Sequence, residues 1–580
     1  MSVTSSRRMP PLRHNLDLPL TSWLARISHG ISPSALGAAF GDWQSHLAAS
    51  PGKQVELAES ALHKTLQWLS YLQASQQGQC PPCVVPAPQD KRFKPPQWQI
   101  PPYNGLAQGF LLAQKWWNEA TTGVRGVSRH HEEVVEFVTR QWLDMCSPSN
   151  FVPTNPQVLH ETVTSGGKNL VTGFANWWRD AMAVLAEGPP PGAERFKPGE
   201  TVAITPGKVV FRNRLIELIR YDATTPDVYP EPLLIVPSWI MKYYVLDLSP
   251  HNSMVKYLVD HGHTVFMISW KNPGVEDRHL GMDDYLELGV IEALHAVQQQ
   301  CPRVGVHAVG YCLGGTLLAA AAAALARRTP SPFKTVSLLA AQIDFEEPGE
   351  LGLFIDESQI SFLEDLMAER GYLDGRQMAG AFALINSKDL VWSKLVHEYL
   401  MGAQTPLTDL RAWNADATRM PARMHSEYLR RLYLDNDLAE GRYQALGKPV
   451  ATQDIRQPLF CVSTERDHVA PWQSVYKIHL LTDTEVTFVL SSGGHNVGIV
   501  NPPEGPLASA EASHRVAVHK HGDPFQDAPT WLASAPSQPG SWWPTWQHWL
   551  SGHSGKRRAP RFNATLPTLG NAPGEYVHGT

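Results

Sequence analysis

The spacing of apolar side chains predicts that the first third of the chain is helical. In residues 20–40 and 54–72, apolar positions recur at i, i+3 and i+4, which is the pattern of amphipathic helices. Residues 105–187 continue this pattern and contain many Trp and Leu. Residues 76–102 are rich in Pro and Gln instead, and they predict a linker or an extended segment.

Near Val202 the pattern changes to short apolar runs with many β-branched residues. Residues 209–212 and 215–221 predict a hairpin. Further runs lie at 233–236, 264–269, 304–309, 335–339, 459–463 and 485–490. Helical stretches separate the earlier runs, and this alternation predicts βαβ units and a parallel sheet that is buried on both faces.

A long stretch of chain separates the predicted strands at 335–339 and 459–463. In sheets of this kind, such an insertion commonly forms a cap over the active site. We therefore expect residues 345–448 to form a mostly helical cap. Residues 539–550, which are rich in Trp, predict one more helix before a final coil.

Charge and composition exclude several classes of protein. The 580 residues carry a formal net charge of −6 without a long run of Lys or Arg, so we expect no nucleic-acid partner. The two arginines near the N-terminus are not followed by an apolar stretch, so no signal peptide is predicted. The most apolar run, residues 314–326, is too short for a transmembrane segment and predicts a buried helix.

The 6 cysteines are scattered along the chain and form no disulfide framework, which favours a reducing cytoplasm. Cys80 and Cys83 have the CxxC spacing of some metal and redox sites. Because no second pair and no His cluster accompany them, we interpret them as two thiols in a Pro-rich linker. We expect no metal and no other cofactor.

The sharpest chemical signal is the sequence Gly-Tyr-Cys-Leu-Gly-Gly at residues 310–315. It follows a predicted strand and precedes a helix of small residues, which is the setting of a nucleophile elbow. Glycines on both sides of Cys312 allow the tight turn and the close packing of helix on strand. The helix N-terminus also favours the reactive thiolate. We therefore predict that Cys312 is a nucleophile rather than a structural cysteine in an ordinary turn.

A cysteine nucleophile needs a base, and Asp467 and His495 are the candidates. Each follows a predicted strand, at the sheet edge where ligands bind in open α/β sheets. The order Cys312, Asp467, His495 is the nucleophile–Asp–His order of an α/β-hydrolase triad. His468 either orients Asp467 or only packs beside it, and the sequence leaves both readings open.

Two backbone N–H groups are expected to form the oxyanion hole. The N–H of Leu313 follows the nucleophile, which is the usual position of the first donor. The second donor is expected in the loop after residues 233–236, at Ile240 or its neighbour Trp239.

Together these features predict an α/β protein with an α/β-hydrolase core, a helical N-terminal domain and an inserted helical cap. We expect the cap to leave Cys312 nearly inaccessible and to keep water from an acyl-enzyme. The predicted domains are an N-terminal helical extension with the Pro-rich linker (1–104), a second helical region (105–200), the first part of the core with the elbow (201–344), the cap (345–448), and the second part of the core with the tail (449–580).

Cysteine in the place of serine favours acyl transfer from a thioester. Exchange between a substrate thioester and an enzyme thioester is nearly isoenergetic, so the acyl group stays activated. An ester on serine is less activated than a thioester, so the free energy of the substrate thioester would be lost before a hydroxyl group of the next unit attacks. Cysteine hydrolases also exist on this fold, so the residue type indicates the chemistry without proving it.

Many segments of the chain resemble the polyhydroxyalkanoate synthase family. They are SPSNFVPTNPQVL (147–159), SGGKNLVTGFANWWRD (165–180), TPGKVVFRNRLIELIRY (205–221), LLIVPSWIMKYYVLDLSP (233–250), HGHTVFMISWKNP (261–273), GYCLGG (310–315), DFEEPGELGLFIDE (344–357), WNADATRMP (413–421), RDHVAPW (466–472), SSGGHNVGIVNPP (491–503) and PGSWWPTWQHWL (539–550). Residues 20–54 also resemble a short N-terminal extension of some members. So many matches in order make coincidence negligible.

The resemblance implies a cytoplasmic acyltransferase that joins (R)-3-hydroxyacyl units from coenzyme A thioesters into a polyester. Its partners would be the acyl-coenzyme A substrate, the growing chain, the surface of a polyester granule and a second copy in a homodimer. The resemblance further implies that Cys312 is acylated and that His495 is its base. Asp467 would orient His495 or help to deprotonate the 3-hydroxyl of the attacking unit.

Several positions in the similar segments remain open. Trp413, Asn414, Asp416 and residues 433–436 either pack in the cap, form a dimer contact or touch substrate. Three other positions, Gly274, Asn386 and Lys388, depart from the family pattern, which usually has Asp at 274, Arg at 386 and Asn at 388. These departures put the monomer preference in doubt, but not the class of reaction.

Two other functions compete with the polymerase. The first is a thioesterase or polyester hydrolase that uses the same triad, and the fate of the product separates it from a polymerase. The second is a granule-surface binding protein with a degenerate core. The complete set of Cys312, Asp467 and His495 argues against the binding protein.

Overall fold

The computed structural model describes residues 20–21, 24–25, 28, 30–76, 78, 80–87, 90–186, 188–375, 377–378, 380, 385, 387–505, 511–563 and 565–579. Part of the predicted N-terminal extension, parts of the predicted linker and Asn386 lie outside these residues. The chain divides into two compact units. The core unit contains Met1–Ile31, Gly192–Ala379 and Leu407–Thr580, and the helical unit contains Ser32–Pro191 and Gly380–Pro406.

The first part of the helical unit contains six described α-helices. They are α1 (Pro33–Ala48), α2 (Pro51–Ser75), α3 (Tyr103–Thr121), α4 (Arg129–Met145), α5 (Pro156–Thr164) and α6 (Lys168–Leu185). Ser32 caps α1 by accepting a hydrogen bond from the N–H of Ala35, and Asn155 caps α5 in the same way. The predicted helix over residues 54–72 is confirmed and lies within α2.

The Pro-rich segment before α3 is extended but well packed. It contains a 3-10 turn at Pro96–Gln99. Phe93 and Trp98 are buried, with ring centroids 4.8 Å apart, and they pack with Ala107 and Leu111 of α3. The segment therefore packs against α3 and adds to the core of the helical unit, and it is not a free linker.

An 11-stranded sheet forms the centre of the core unit. Its strands are β1 (Gly207–Arg212), β2 (Ile216–Tyr221), β3 (Leu233–Val236), β4 (Val265–Trp270), β5 (Val306–Tyr311), β6 (Phe333–Leu339), β7 (Leu459–Thr464), β8 (Val486–Ser491), β9 (Ser513–His519), β10 (Ser537–Pro539) and β11 (Gly570–Asn571). Their spatial order is β10-β9-β8-β7-β6-β5-β3-β4-β2-β1-β11. The strands β4, β3, β5, β6, β7 and β8 pair in parallel, and antiparallel strands extend both edges.

Every run that was predicted as a strand is confirmed, and so is the hairpin of β1 and β2. Strands β3, β4, β5, β7 and β8 are buried at every position, because helices cover both faces of a parallel sheet. The antiparallel strands β9, β10 and β11 were not predicted from the sequence.

The α-helices of the core unit that have four or more residues lie around this sheet. They are α7 (Met254–Asp260), α8 (Glu292–Gln300, which continues a π-helical segment Tyr285–Ile291), α9 (Leu313–Leu325), α10 (Glu357–Arg370), α11 (Asp409–Asn414), α12 (Ala422–Tyr428, continued by the π-helical segment Leu429–Leu434), α13 (Trp472–Tyr476), α14 (Ile478–Leu481), α15 (Ala528–Ser534) and α16 (Trp543–Gly552). The last of these confirms the helix predicted in residues 539–550. Among the described residues, no helix combines the length and the apolar character that are needed to cross a membrane.

The predicted cap segment is divided between the two units. Helices α10, α11 and α12 belong to the core unit, whereas Gly380–Pro406 belongs to the helical unit. There a π-helical segment, Leu395–Leu400, packs against α6. Gly173 of α6 makes this approach possible, because a Cβ at this position would lie 1.8 Å from the carbonyl oxygen of Tyr399. The predicted domain boundaries stay a prediction, but the segment 345–448 is not one continuous body.

Candidate active site

Cys312 lies in a strained turn between β5 and α9. Its φ of 52° and ψ of −127° are unusual for a residue with a side chain. The turn needs glycine at Gly310, where a Cβ would lie 2.4 Å from Gly315 Cα. It also needs glycine at Gly314, where a Cβ would lie 2.2 Å from Val236 O. The elbow geometry expected from the motif is therefore present.

Asp467 lies in the loop after β7, and its carboxylate is fully engaged. One oxygen accepts hydrogen bonds from the N–H groups of Val469 (2.9 Å) and Ala470 (2.8 Å). The other oxygen accepts hydrogen bonds from the hydroxyl of Thr464 (3.2 Å) and from His495 Nδ1 (2.7 Å). The side chain of Asp467 has 0% relative exposure.

His495 lies in the loop after β8 and connects Asp467 to Cys312. Its Nδ1 donates to Asp467, and the ring is also hydrogen-bonded to the Cys312 thiol. Burial lowers the pKa of His495, but the neighbouring Asp467 carboxylate and the thiol raise it more, so the pKa lies well above its usual value. Burial raises the pKa of Asp467, but His495 and the two N–H donors lower it below its usual value. The two side chains thus favour an ion pair.

A second link between the elbow and the loop of His495 was missed in the sequence. The hydroxyl of Tyr311 donates a hydrogen bond to the side-chain oxygen of Asn496, and the Tyr311 ring lies 6.0 Å from the His495 ring. Tyr311 directly precedes Cys312, and Asn496 directly follows His495. Adjacency to the two candidate catalytic residues was the available signal.

His468, the neighbour of Asp467, has an exposed side chain. Its backbone carbonyl accepts a hydrogen bond from the N–H of Glu350 (3.2 Å). The described hydrogen bonds to the Asp467 carboxylate come from Thr464, Val469, Ala470 and His495, whereas none from His468 is described. The support for Asp467 therefore comes from its own loop and from β7.

The two expected oxyanion donors lie in segments that contact each other. Leu313 is the first residue of α9, where backbone N–H groups have no partner within the helix. The start of the loop after β3 lies against this first turn, because a Cβ at Gly314 would meet Pro237 O at 2.4 Å. Ile240 lies in the same loop and is buried.

Two aromatic side chains of α12 and the segment after it, Tyr428 and Tyr433, pack against each other, and Tyr428 also packs against Trp239. Burial raises the pKa of Tyr428 and Tyr433, and negative charge at Cys312 raises it further. Their hydroxyls lie 3.1 Å apart, and the Tyr433 ring lies 4.8 Å from Phe345. Cys312 is nevertheless partly exposed. As a residue, Cys312 is therefore less buried than the expectation of a nearly inaccessible thiol implies.

Trp413 and Asp416 contact Lys242 and Tyr244, in the segment that follows β3. Trp413 Nε1 donates to the carbonyl oxygen of Lys242 (2.7 Å). Asp416 pairs with the Lys242 ammonium (3.1 Å) and accepts a hydrogen bond from the Tyr244 hydroxyl (2.8 Å). Asn414 is exposed. Within the chain, Trp413 and Asp416 therefore serve packing and hydrogen bonding.

Two of the residues that depart from the family pattern, Gly274 and Lys388, make polar contacts within their own units. Gly274 begins a 3-10 turn, and its N–H donates to the Asp277 carboxylate (3.0 Å). The Lys388 ammonium lies 3.9 Å from a carboxylate oxygen of Asp144, within the helical unit. In the same unit, the Cys83 thiol donates to the carbonyl oxygen of Gln67 (3.7 Å).

Three family models match the sequence. A model described as "Poly-beta-hydroxybutyrate polymerase (PhaC) N-terminus" matches residues 89–258, and one described as "Poly-beta-hydroxybutyrate polymerase N terminal" matches residues 11–53. A model of the "alpha/beta hydrolase fold" matches residues 231–502. The predicted fold class, an α/β-hydrolase core with a helical N-terminal region, is confirmed.

Several curated proteins are similar over most of the chain. A poly(3-hydroxyalkanoate) polymerase of Methylorubrum extorquens is 40% identical over 515 residues, which cover 88% of this chain and 84% of the relative. A poly(3-hydroxyalkanoate) polymerase subunit of Rhizobium meliloti is 40% identical and covers 84% of this chain and 79% of the relative. The corresponding subunit of Cupriavidus necator is 35% identical and covers 84% of this chain and 83% of the relative.

Proposed function

Because this chain belongs to the poly(3-hydroxyalkanoate) polymerase family, we propose that its Cys312 carries the growing polyester as a thioester. The chain is an acyltransferase that polymerises 3-hydroxyacyl units from coenzyme A thioesters. The observation that carries the proposal is the hydrogen-bonded series Cys312, His495 and Asp467 at the ends of β5, β8 and β7. This series activates a thiol in a position that a thioester can reach.

The first step loads an acyl group onto Cys312. His495 accepts the thiol proton, and the thiolate attacks the thioester carbonyl of an (R)-3-hydroxyacyl coenzyme A. The N–H groups of Leu313 and Ile240 stabilise the negative charge on the carbonyl oxygen. The bond to the coenzyme A sulfur breaks, and His495 returns its proton to that sulfur. A new thioester therefore replaces the old one, and the acyl group stays activated.

The second step extends the chain. The 3-hydroxyl of one unit attacks the thioester carbonyl of another, and His495 accepts the hydroxyl proton. An ester bond forms, the bond to the Cys312 sulfur breaks, and His495 protonates the leaving thiolate. Repetition of these steps gives a polyester and one free coenzyme A for each unit added.

Asp467 serves this cycle as the orienting carboxylate of His495. Of the two roles that the family resemblance left open, orientation is favoured by the contacts of the carboxylate. Both of its oxygens are occupied by hydrogen bonds, and its side chain has 0% relative exposure. A substrate hydroxyl would have to displace the Asp467–His495 hydrogen bond in order to reach it.

We also propose that helix α6 attaches the protein to the surface of the polyester granule. One face of α6 exposes large apolar side chains, Val171 (72%), Phe174 (62%), Trp178 (54%) and Leu185 (76%). The opposite face is occupied, because the side chains of Asn169 and Asn176 donate to carbonyl oxygens of residues 398–403. An aliphatic polyester is an apolar surface made by the enzyme itself, which suits this exposed face. The proposed location is cytoplasmic and granule-associated.

A homodimer is the remaining proposed partner. Sedimentation velocity of the purified protein, with and without an acyl-coenzyme A, measures the oligomeric state directly. A monomer under both conditions would contradict the proposal.

The test of the main proposal follows both products of the reaction. With an (R)-3-hydroxyacyl coenzyme A, we expect insoluble polyester and free coenzyme A, whereas a hydrolase would release free hydroxy acid. With a thioester that lacks the 3-hydroxyl, mass spectrometry should find one acyl group on Cys312. An acyl group on another residue, or acylation of Cys312→Ala, would contradict the proposed nucleophile.

A further inference from the structure

The oxyanion loop, residues 237–242, is held mainly through its own carbonyl groups. Trp270 Nε1 donates to the carbonyl oxygen of Pro237 (2.9 Å). The hydroxyl of Thr418 donates to the carbonyl oxygen of Trp239, and the N–H of Thr418 donates to that of Ile240 (3.2 Å). Four residues of the loop, including Lys242, thus present their carbonyl oxygens to donors of the surrounding structure.

The contact between Thr418 and Trp239 has a direct consequence for the Ile240 N–H. The carbonyl of Trp239 and the N–H of Ile240 belong to one peptide unit, which is trans. A trans peptide unit is planar, and its C=O and N–H point in opposite directions. A hydrogen bond that fixes the Trp239 carbonyl therefore also fixes the direction of the Ile240 N–H. Thr418 is buried, so solvent does not compete for its hydroxyl.

Lys242 holds the other end of the loop. Its ammonium group is nearly buried, with 6% side-chain exposure. It donates to the carbonyl oxygens of Val577 (2.6 Å) and Gly579 (2.8 Å), and it pairs with Asp416 (3.1 Å). Three acceptors satisfy the three donors of an ammonium group. Lys242 therefore joins the segment that carries Thr418 to a segment that is distant in sequence.

Residues 570–579 are themselves fastened to the edge of the sheet. Strand β11 pairs with β1, and beyond it the buried carboxylate of Glu217 accepts hydrogen bonds from the N–H groups of Glu575 (2.8 Å) and Tyr576 (2.9 Å). The Tyr576 hydroxyl donates to the carbonyl oxygen of Asn213 (2.6 Å). The carbonyl groups that Lys242 binds thus belong to a segment with a fixed position.

We propose that Thr418 and Lys242 are positioning residues of the oxyanion hole. Thr418 sets the direction of the Ile240 N–H, and Lys242 anchors the end of the loop to residues 577–579. The inference rests on the proposed function, because it takes Ile240 as an oxyanion donor. It assigns a role to the segment 413–418 that is distinct from substrate contact and from dimerisation.

The test compares two reactions of Cys312 that differ in their need for the oxyanion hole. Acylation by a thioester builds negative charge on a carbonyl oxygen, whereas alkylation by iodoacetamide displaces iodide at a saturated carbon and builds none there. Thr418→Val keeps the shape of the side chain and removes the hydroxyl. We expect it to slow single-turnover acylation about 10- to 100-fold with little change in KM, and to leave the alkylation rate unchanged. Thr418→Ser retains the donor and should recover most of the loss.

A second variant tests the other anchor and covers a failure of Thr418→Val to fold. Lys242→Met keeps a side chain of similar length but removes the ammonium that binds Val577, Gly579 and Asp416, and it should show the same selective loss of acylation, about 3- to 30-fold. Acylation at the wild-type rate in either folded variant would overturn the inference, as would an equal loss of acylation and alkylation. Neither outcome affects the proposed function, which fails if the product is free hydroxy acid, if another residue is acylated or if Cys312→Ala still becomes acylated.

Discussion

Asp467 Oδ2 lies 2.7 Å from His495 Nδ1, and the Asp467 side chain has no solvent-exposed surface. His495 therefore has one fixed orientation, with its second nitrogen available to the Cys312 thiol. The same burial leaves no exposed surface of the Asp467 side chain for a substrate to contact. We therefore expect Asp467 to affect the rate of each step only through the orientation and charge of His495.

Replacement of either residue should therefore affect acylation. His495→Gln removes the base and should slow single-turnover acylation of Cys312 by about 10²- to 10⁴-fold. Asp467→Asn keeps the size of the side chain but places an amide beside His495 Nδ1, and it should slow acylation by up to about 10⁴-fold as well. Rapid-quench measurements with a thioester that lacks the 3-hydroxyl report this step alone. If Asp467→Asn acylated normally and only extended chains slowly, Asp467 would act on the hydroxyl instead.

The pair of Asp467 and His495 should also make stability depend on pH. The pKa of His495 lies above its ordinary value of 6.5. The stabilisation that His495 adds to the folded state is therefore complete below pH 6.5 and is lost as pH rises through the raised pKa. The pKa of Asp467 lies below its ordinary value of 3.8, so its contribution is present above pH 3.8 and is lost as pH falls through the lowered pKa. The contribution of the pair is therefore largest between these two values.

Comparison with Asp467→Asn isolates this contribution. We expect the variant to be less stable than the wild type by on the order of 3 kcal/mol between pH 3.8 and pH 6.5. The difference should shrink as pH rises through the raised pKa of His495. Urea unfolding of both proteins over a series of pH values measures it. A difference that grows at alkaline pH would contradict the ion pair.

The strands that carry the site could be predicted because burial on both faces leaves a continuous apolar run in the sequence. Strands β5, β7 and β8 are of this type. Strand β9 was missed because only some of its residues are apolar and it pairs with β8 in an antiparallel direction. Strand β11 has two residues in a segment rich in Gly and Asn, and only its docking on β1 makes it a strand.

The side chains around the site could likewise be predicted only where a local sequence pattern marks them. Cys312, Asp467 and His495 could be named as candidates because each follows a strand in a known order. Thr418 binds a backbone carbonyl 179 positions earlier in the chain, and no pattern of side chains identifies such a partner. The packing of residues 395–400 on α6 was also hidden, because the close approach of Tyr399 to Gly173 joins residues that are far apart in sequence.

The strained backbone of Cys312 predicts that activity and stability conflict at this residue. Cys312→Ala and Cys312→Gly both remove the thiol and should both abolish coenzyme A release. Only glycine adopts the φ of 52° without strain, so Cys312→Gly should be more stable than Cys312→Ala by about 1 kcal/mol. Thermal unfolding of the two variants measures this difference. Equal stability would mean that the elbow is not strained, whereas coenzyme A release by either variant would refute the assigned nucleophile.

The exposed face of α6 predicts a variant that polymerises normally but binds the product surface poorly. Phe174→Ser with Trp178→Ser removes two large apolar side chains that are 62% and 54% exposed. Because each contributes roughly 1.5–3 kcal/mol when it is fully buried, we expect at least about tenfold weaker binding to preformed polyester particles. Cosedimentation measures the binding, and coenzyme A release from a soluble substrate measures activity. The matched control is Leu480→Ser, which removes a 55% exposed apolar side chain from the core unit and should bind like the wild type. Equal loss of binding in both proteins would show that adsorption is nonspecific, and unchanged binding of the double variant would exclude α6 as the attachment surface.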